Sequence, residues 1–157
     1  MTYHAAFSAE DCSEIINELK SLEGPLLPIL HALQERYGHV DEAMVRLISA
    51  GLNLSRAEVY GVLSFYHDYR QEPHGRHVLK VCRAEACQSK GSDALAASIE
   101  AALGIKFGET TGDRQVTLEA VYCLGLCATA PSAMLDGRLI GRLSQKKVDA
   151  IVDEVRL

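Results

Sequence analysis

Nothing in this sequence approaches the eighteen or so consecutive apolar residues of a membrane span. The opening segment Met1–Glu10 lacks a basic stretch followed by an apolar one, so no secretory leader is expected and cytoplasmic residence is the default. Excess positive charge is missing too. The net charge of −5 argues against nucleic acid and against an anionic membrane surface as partners. There is no glycine-rich dinucleotide fingerprint. There is no Ser/His/Asp or Cys/His set to make a nucleophile. A Cys-x-x-Cys pair of the dithiol-exchange kind is absent as well. No repeat and no low-complexity tract appears. The chain therefore carries no complete active site of its own.

What is present is a globular composition, 48% hydrophobic over 157 residues. Charge divides unevenly. Up to Gly75 there are 5 Lys/Arg against 11 Asp/Glu, and from Arg76 on 11 against 10. Solvated helix faces account for the acidic half; a docking face for a basic partner is the sharper alternative.

That half reads as helices with punctuation. Ser8 is an N-cap ahead of Ile15, Ile16, Leu19 and Leu22. Gly24-Pro25 ends this helix and starts the next, whose apolar stripe runs from Leu26 to Tyr37 before Gly38. Asp41 opens a third helix, and Ser55 with Glu58 forms a capping box for a fourth. Gln71–Arg76 is polar, with Pro73 and Gly75, and reads as a linker.

Beyond the linker the period changes. His77–Arg83 alternates like a strand, Ala86–Leu103 reads as one helix, and Val116–Tyr122 as a second strand. Cys123–Pro131 is a loop of small residues. Asp136-Gly137 sits between apolar runs as a hairpin turn, and Ser144 caps a last helix. The expectation is an α+β chain: a helical bundle over residues 1–73, then an α/β domain over residues 74–157.

Four of the five cysteines come in two pairs, Cys82 with Cys87 and Cys123 with Cys127. On this map the first pair spans a strand end and a helix start, and the second lies in the loop after the next strand. All four can meet at one end of a sheet. Cys12 stands apart in a helix and reads as a packing residue.

Three chemistries compete for the four thiols. Disulfides need oxidising surroundings, which nothing here suggests. Structural zinc usually uses knuckles with two residues between paired cysteines, whereas the gaps here are four and three. An iron–sulfur cluster needs four thiolates without a fixed knuckle. The plant-type ferredoxin spacing fails, because position 90 is a lysine rather than a third cysteine.

The run Cys82-Arg-Ala-Glu-Ala-Cys87, the run Glu109-Thr-Thr-Gly-Asp113 and the run Tyr122-Cys-Leu-Gly-Leu-Cys-Ala-Thr-Ala-Pro131 form an ordered set. Together they resemble the thioredoxin-like 2Fe–2S subunit of NADH:quinone oxidoreductases and related NAD-linked enzymes. Leu63-Ser-Phe-Tyr66 extends the resemblance into the helical half. Where respiratory members tend to have Gly-Thr inside the first pair, this chain has Ala84-Glu85. That variant is similar to the gamma subunit of soluble, molybdenum-dependent, NAD-linked formate dehydrogenases.

The resemblance implies a thioredoxin-like fold for the second domain and one 2Fe–2S cluster on Cys82, Cys87, Cys123 and Cys127. It implies one-electron transfer beside a flavin- and NAD-binding beta-type subunit. A large alpha-type subunit would hold molybdenum and further iron–sulfur centres. FMN, NAD and the molybdenum cofactor are expected on those partner chains only. An equivalent subunit of an NAD-reducing hydrogenase or an NADH:quinone oxidoreductase is the alternative host. A zinc-stabilised adaptor without redox activity is the alternative of a different class.

Several further residues attract expectations. Gly125, Ala128 and Ala86 are small enough to let backbone amides approach sulfur. Arg83, Lys90 and Lys80 either offset cluster charge or are surface cations. His67, His74 and His77 are read as surface or boundary residues rather than as ligands of a Rieske kind. Phe65, Tyr66 and Tyr69 are read as packing residues. Pro131 ends the cysteine loop, and the resemblance raises a cis peptide there.

Overall fold

The computed structural model describes residues 5–156, so the first four residues of the opening segment lie outside it. Its contacts gather into two compact units that divide between Pro73 and His74.

The first unit holds four helices: α1 (Ala9–Leu19), α2 (Leu26–Tyr37), α3 (Glu42–Leu52) and α4 (Arg56–Phe65). Their starts follow the capping residues. Ser8 Oγ accepts from the Asp11 amide and the Asp41 carboxylate from the Met44 amide. Ser55 and Glu58 exchange side-chain-to-backbone bonds at both ends of their capping box. Each bond satisfies an amide that the first helical turn leaves unpaired. Pro25 stands just before α2 and its carbonyl accepts from Ile29. Gly38, at φ +78°, closes that helix.

The spacing predicts a first helix reaching Leu22, but α1 ends at Leu19 and leaves Leu22 exposed. Inside the bundle, Ile16, Ile29, Leu30, Leu33, Met44, Val45, Ile48 and Val59 form one core, and Cys12 is fully buried within it. Burial pushes the Cys12 thiol up to about 11, as befits a packing residue.

In the second unit, β1 (His77–Cys82) lies between β2 (Val116–Val121), which runs parallel, and β3 (Ala133–Leu135), which runs antiparallel. The short β4 (Arg138–Ile140) completes the order β2-β1-β3-β4. Asp136 and Gly137 both take positive φ, the geometry of a tight two-residue hairpin between β3 and β4. The helix α7 (Gln145–Val155) follows Ser144, which stands at the N-cap position without a capping side-chain bond.

The helix expected over Ala86–Leu103 is two helices, α5 (Glu85–Gln88) and α6 (Ser92–Leu103). The break falls at Gly91, whose φ of +84° is left-handed and incompatible with a continuing α-helix. Leu79, Val81, Leu118 and Leu135 of the sheet share one apolar cluster with Ile99 of α6 and Val148, Ile151, Val152 and Val155 of α7. The architecture is a mixed α+β one, a helical unit followed by a unit whose four-stranded mixed sheet packs on α6 and α7.

Candidate metal centre

The parallel pairing of β1 with β2 places the chain's sulfurs. In register, Cys82 stands opposite Val121, so both strands end on the same edge of the sheet. Arg83 donates its amide to the Val121 carbonyl, and Cys82 donates its own to the Ser132 carbonyl at 3.0 Å. Three segments therefore meet at Cys82: the strand end itself, the loop after β2 and the entry to β3.

The cysteines gather there. Ser132 Oγ lies 3.6 Å from Cys87 Sγ, and the donor groups of Ala84, Cys87, Cys123 and Ser132 act on the Cys82 thiol. Burial pushes the Cys82 thiol up, but these donors outweigh it and hold it below the ordinary thiol value. Cys123 Sγ and Cys127 Sγ lie 3.6 Å apart, and the Gly125 amide donates to Cys123 Sγ at 3.3 Å. Shared hydrogen bonding and the charge of Cys123, then burial and the charges of Cys87 and Cys82, raise the Cys127 thiol. Thus all four predicted site residues lie within electrostatic reach of one another, and all are free thiols. Cys12 belongs to the other unit's core.

The two pairs differ in surroundings. Cys82 and Cys87 are 1% and 2% exposed, whereas Cys123 and Cys127 face solvent. Beside the open pair Tyr122 is 77% exposed. The backbone of the second pair is shaped to the task. Cys123 has φ +107° and Gly125 +75°, a turn that folds the Gly125 amide back onto sulfur. Cys127 opens a short 3-10 turn through Thr129. The Ala130–Pro131 peptide is cis.

Does this arrangement fit an iron–sulfur cluster? Two thiolates on one tetrahedral metal at about 2.3 Å stand roughly 3.7 Å apart. The Cys123–Cys127 separation of 3.6 Å matches this. Each iron of a two-iron cluster takes only two thiolates, and the four sulfurs fall into two pairs. Amides and a hydroxyl aimed at sulfur suit a centre that carries net negative charge. The residues fit.

Other expectations resolve differently. Lys80 pairs with Glu119 at 3.4 Å. Arg83 pairs with Asp93 at 3.0 Å and lies over the Phe107 ring. Both cations are thus engaged by neighbours, and Lys90 is an exposed surface residue. His74 bonds the Gly75 carbonyl and His77 the Asp136 carboxylate, both at the β1 end remote from Cys82. His67 is exposed. Tyr69 packs in the bundle core, but Phe65 and Tyr66 are exposed.

Sequence reasoning missed Ser132 and Ala84. Gly125 brings its amide to sulfur as expected, while Ala84 does so for Cys82 in the place foreseen for Ala86. A polar residue entering a buried strand directly after Ala130-Pro131 was the available signal for Ser132.

Comparison with known proteins agrees with this geometry. The model of the thioredoxin-like [2Fe-2S] ferredoxin family matches residues 12–156. The HndA subunit of the NADP-reducing hydrogenase of Solidesulfovibrio fructosivorans is 29% identical over 96% of this chain and 90% of its own length. An NADH-quinone oxidoreductase subunit of Rhizobium meliloti (strain 1021) is 34% identical over 83% of this chain and 78% of its own length. Among solved structures, a chain of an NAD⁺-reducing [NiFe]-hydrogenase in the H2-reduced state superposes with a TM-score of 0.72 at 27% identity. The match covers 83% of this chain and 22% of that one.

Proposed function

The chain belongs to the thioredoxin-like [2Fe-2S] ferredoxin family, and on that premise we propose that it is an electron-transfer subunit. In this reading Cys82 and Cys87 hold one iron of the family's 2Fe–2S cluster and Cys123 and Cys127 hold the other. The observation that carries it is the pair of free thiols 3.6 Å apart, set beside a second, buried pair at the shared end of β1 and β2. When bound, such a cluster supplies one-electron acceptance and release.

The chain's own residues do the rest. Strands β1 and β2 fix where the two pairs meet. The Gly125 amide donates to Cys123 Sγ and tempers its negative charge, and the amides of Ala84 and Cys123 lower the Cys82 thiol. Burial shields the first pair from water, while the second pair's exposure leaves a face through which a redox partner can approach.

The host complex is NAD-linked in this reading. A flavin- and NAD-binding beta-type chain is the immediate partner, in the cytoplasm. The residues inside the first pair, Arg83-Ala84-Glu85-Ala86, favour a formate dehydrogenase with a large molybdenum-bearing alpha-type chain. The second reading is an NAD-reducing hydrogenase or NADH:quinone oxidoreductase, favoured by the names that the relatives carry.

Anaerobic purification of the full chain, with iron and sulfide analysis and EPR after dithionite reduction, tests the site. Two irons and two labile sulfides per chain with a one-electron signal support it. One zinc and no visible absorbance sink it in favour of the adaptor. Copurification from the native host then decides the partner: formate-oxidising, hydrogen-oxidising or quinone-reducing.

A further inference from the structure

Ser132 has no place in the ligand set, yet its side chain lies against one of the ligands. It is 1% exposed, so its hydroxyl has no water to bond. Its Oγ lies 3.6 Å from Cys87 Sγ. Its carbonyl accepts the Cys82 amide at 3.0 Å, which pins the residue to the strand end. One buried hydroxyl therefore faces a sulfur of the protected pair.

With free thiols, either partner in the Ser132–Cys87 contact can donate. Once Cys87 is a thiolate on iron it has no proton, and only the hydroxyl can donate. A donor buried away from water finds its bond worth more as the acceptor grows more negative. Adding one electron makes the sulfurs more negative. The Ser132 bond therefore strengthens on reduction and favours the reduced state.

We infer that Ser132 is a potential-tuning residue, whose hydroxyl raises the cluster's reduction potential by donating to the sulfur of Cys87. The inference rests on the reading of these cysteines as cluster ligands. It adds that the buried half of the site, rather than the open half alone, sets the driving force for electron transfer.

The test uses the full chain, purified anaerobically as wild type, Ser132→Ala and Ser132→Thr. Iron and sulfide content and the EPR spectrum come first. A wild-type chain without a 2Fe–2S cluster would end the functional reading itself, before Ser132 is at issue. With the cluster present, a redox titration follows. Ser132→Ala should keep its iron, yet at the wild-type midpoint its reduced-to-oxidised ratio should fall about tenfold. For a one-electron couple that is a shift of about 59 mV to lower potential. Ser132→Thr, which keeps the hydroxyl, should titrate close to wild type. An unchanged midpoint in Ser132→Ala overturns the inference, and so does a Ser132→Thr midpoint lowered as far as that of the alanine. Loss of iron from both variants also overturns it, because Ser132 would then serve assembly of the site and not its potential.

Discussion

Replacing Gly141 with alanine should loosen the loop that presents Cys127. A Cβ at position 141 would lie 2.6 Å from Thr129 Oγ1, 3.0 Å from its Cβ and 3.3 Å from its carbonyl oxygen. Rotating the threonine relieves only the first of these, so the 3-10 turn carrying Cys127 must retreat. Overpacking of this kind costs about 1–3 kcal/mol. The retreat also stretches two bonds, Arg142 N–H to Thr129 O at 2.6 Å and Leu143 N–H to Pro131 O at 2.8 Å. Each contributes about 1 kcal/mol.

A destabilisation of about 2 kcal/mol follows for the second unit, roughly a thirty-fold change in its folding equilibrium. For a unit of this size the melting temperature should drop by about 8–16 °C. The assay is thermal unfolding of the metal-loaded chain, read by its visible absorbance, together with the rate of iron loss to a chelator.

Gly112→Ala is the control, since a Cβ there meets nothing within 4 Å. Thr129→Ala in the Gly141→Ala background removes the closest contact and should recover part of the loss. The coupling between the two sites should reach at least about 0.5 kcal/mol. If Gly141→Ala melts and holds iron like Gly112→Ala, the steric argument is wrong.

The remaining predictions concern both units. Cys87→Ala or Cys123→Ala should abolish the 2Fe–2S spectrum, whereas Cys12→Ala should leave it unchanged and lower only the stability of the helical bundle. Ser55→Ala removes the hydroxyl that accepts from the Glu58 amide, leaves the reverse bond from the backbone amide of residue 55 to the Glu58 carboxylate in place, and should cost about 1 kcal/mol in chemical denaturation; an effect no larger than for an exposed mid-helix serine would refute this. Asp11 accepts hydrogen bonds from Tyr37 and Arg36, which hold its carboxyl below the usual carboxylate value. Its folded pKa is depressed, so its contribution is present above the unfolded value of about 3.9 and is lost as pH falls below that. Asp11→Asn should therefore flatten the acid limb of a stability–pH profile, and an unaltered limb would contradict the assignment.

Much of this was legible because the decisive signals are local. Capping by Ser8, Asp41 and Ser55 depends on residues three positions apart, and the Asp136-Gly137 hairpin on two residues that accept positive φ. Alternation in β1 separates Leu79 and Val81, which are buried, from Lys80, which is not. The meeting of the cysteines followed from placing them at the ends of strands. What stayed hidden depends on distant partners. Gly91 is an exception: its left-handed backbone, at the end of the Ser89–Gly91 break between α5 and α6, is a local signal that the alanine- and leucine-rich sequence after it masked. Lys80 and Arg83 look like counter-charges for a cluster until Glu119 and Asp93 arrive from elsewhere in the chain. Ser132 is forty-five positions from Cys87, and no periodicity links them. The inequality of the two pairs is likewise a property of the folded surface.

That inequality has a chemical consequence for handling the protein in air. Oxidants act first on accessible sulfur, so ageing should begin at Cys123 and Cys127 and spare Cys82 and Cys87. The sulfurs of the open pair need only close from 3.6 Å to about 2.05 Å to form a disulfide. Such a bond caps both thiols before they reach irreversible oxidation states, and a mild thiol reductant opens it again. A chain that has lost its iron in storage should thus be bleached rather than ruined, and refillable after reduction.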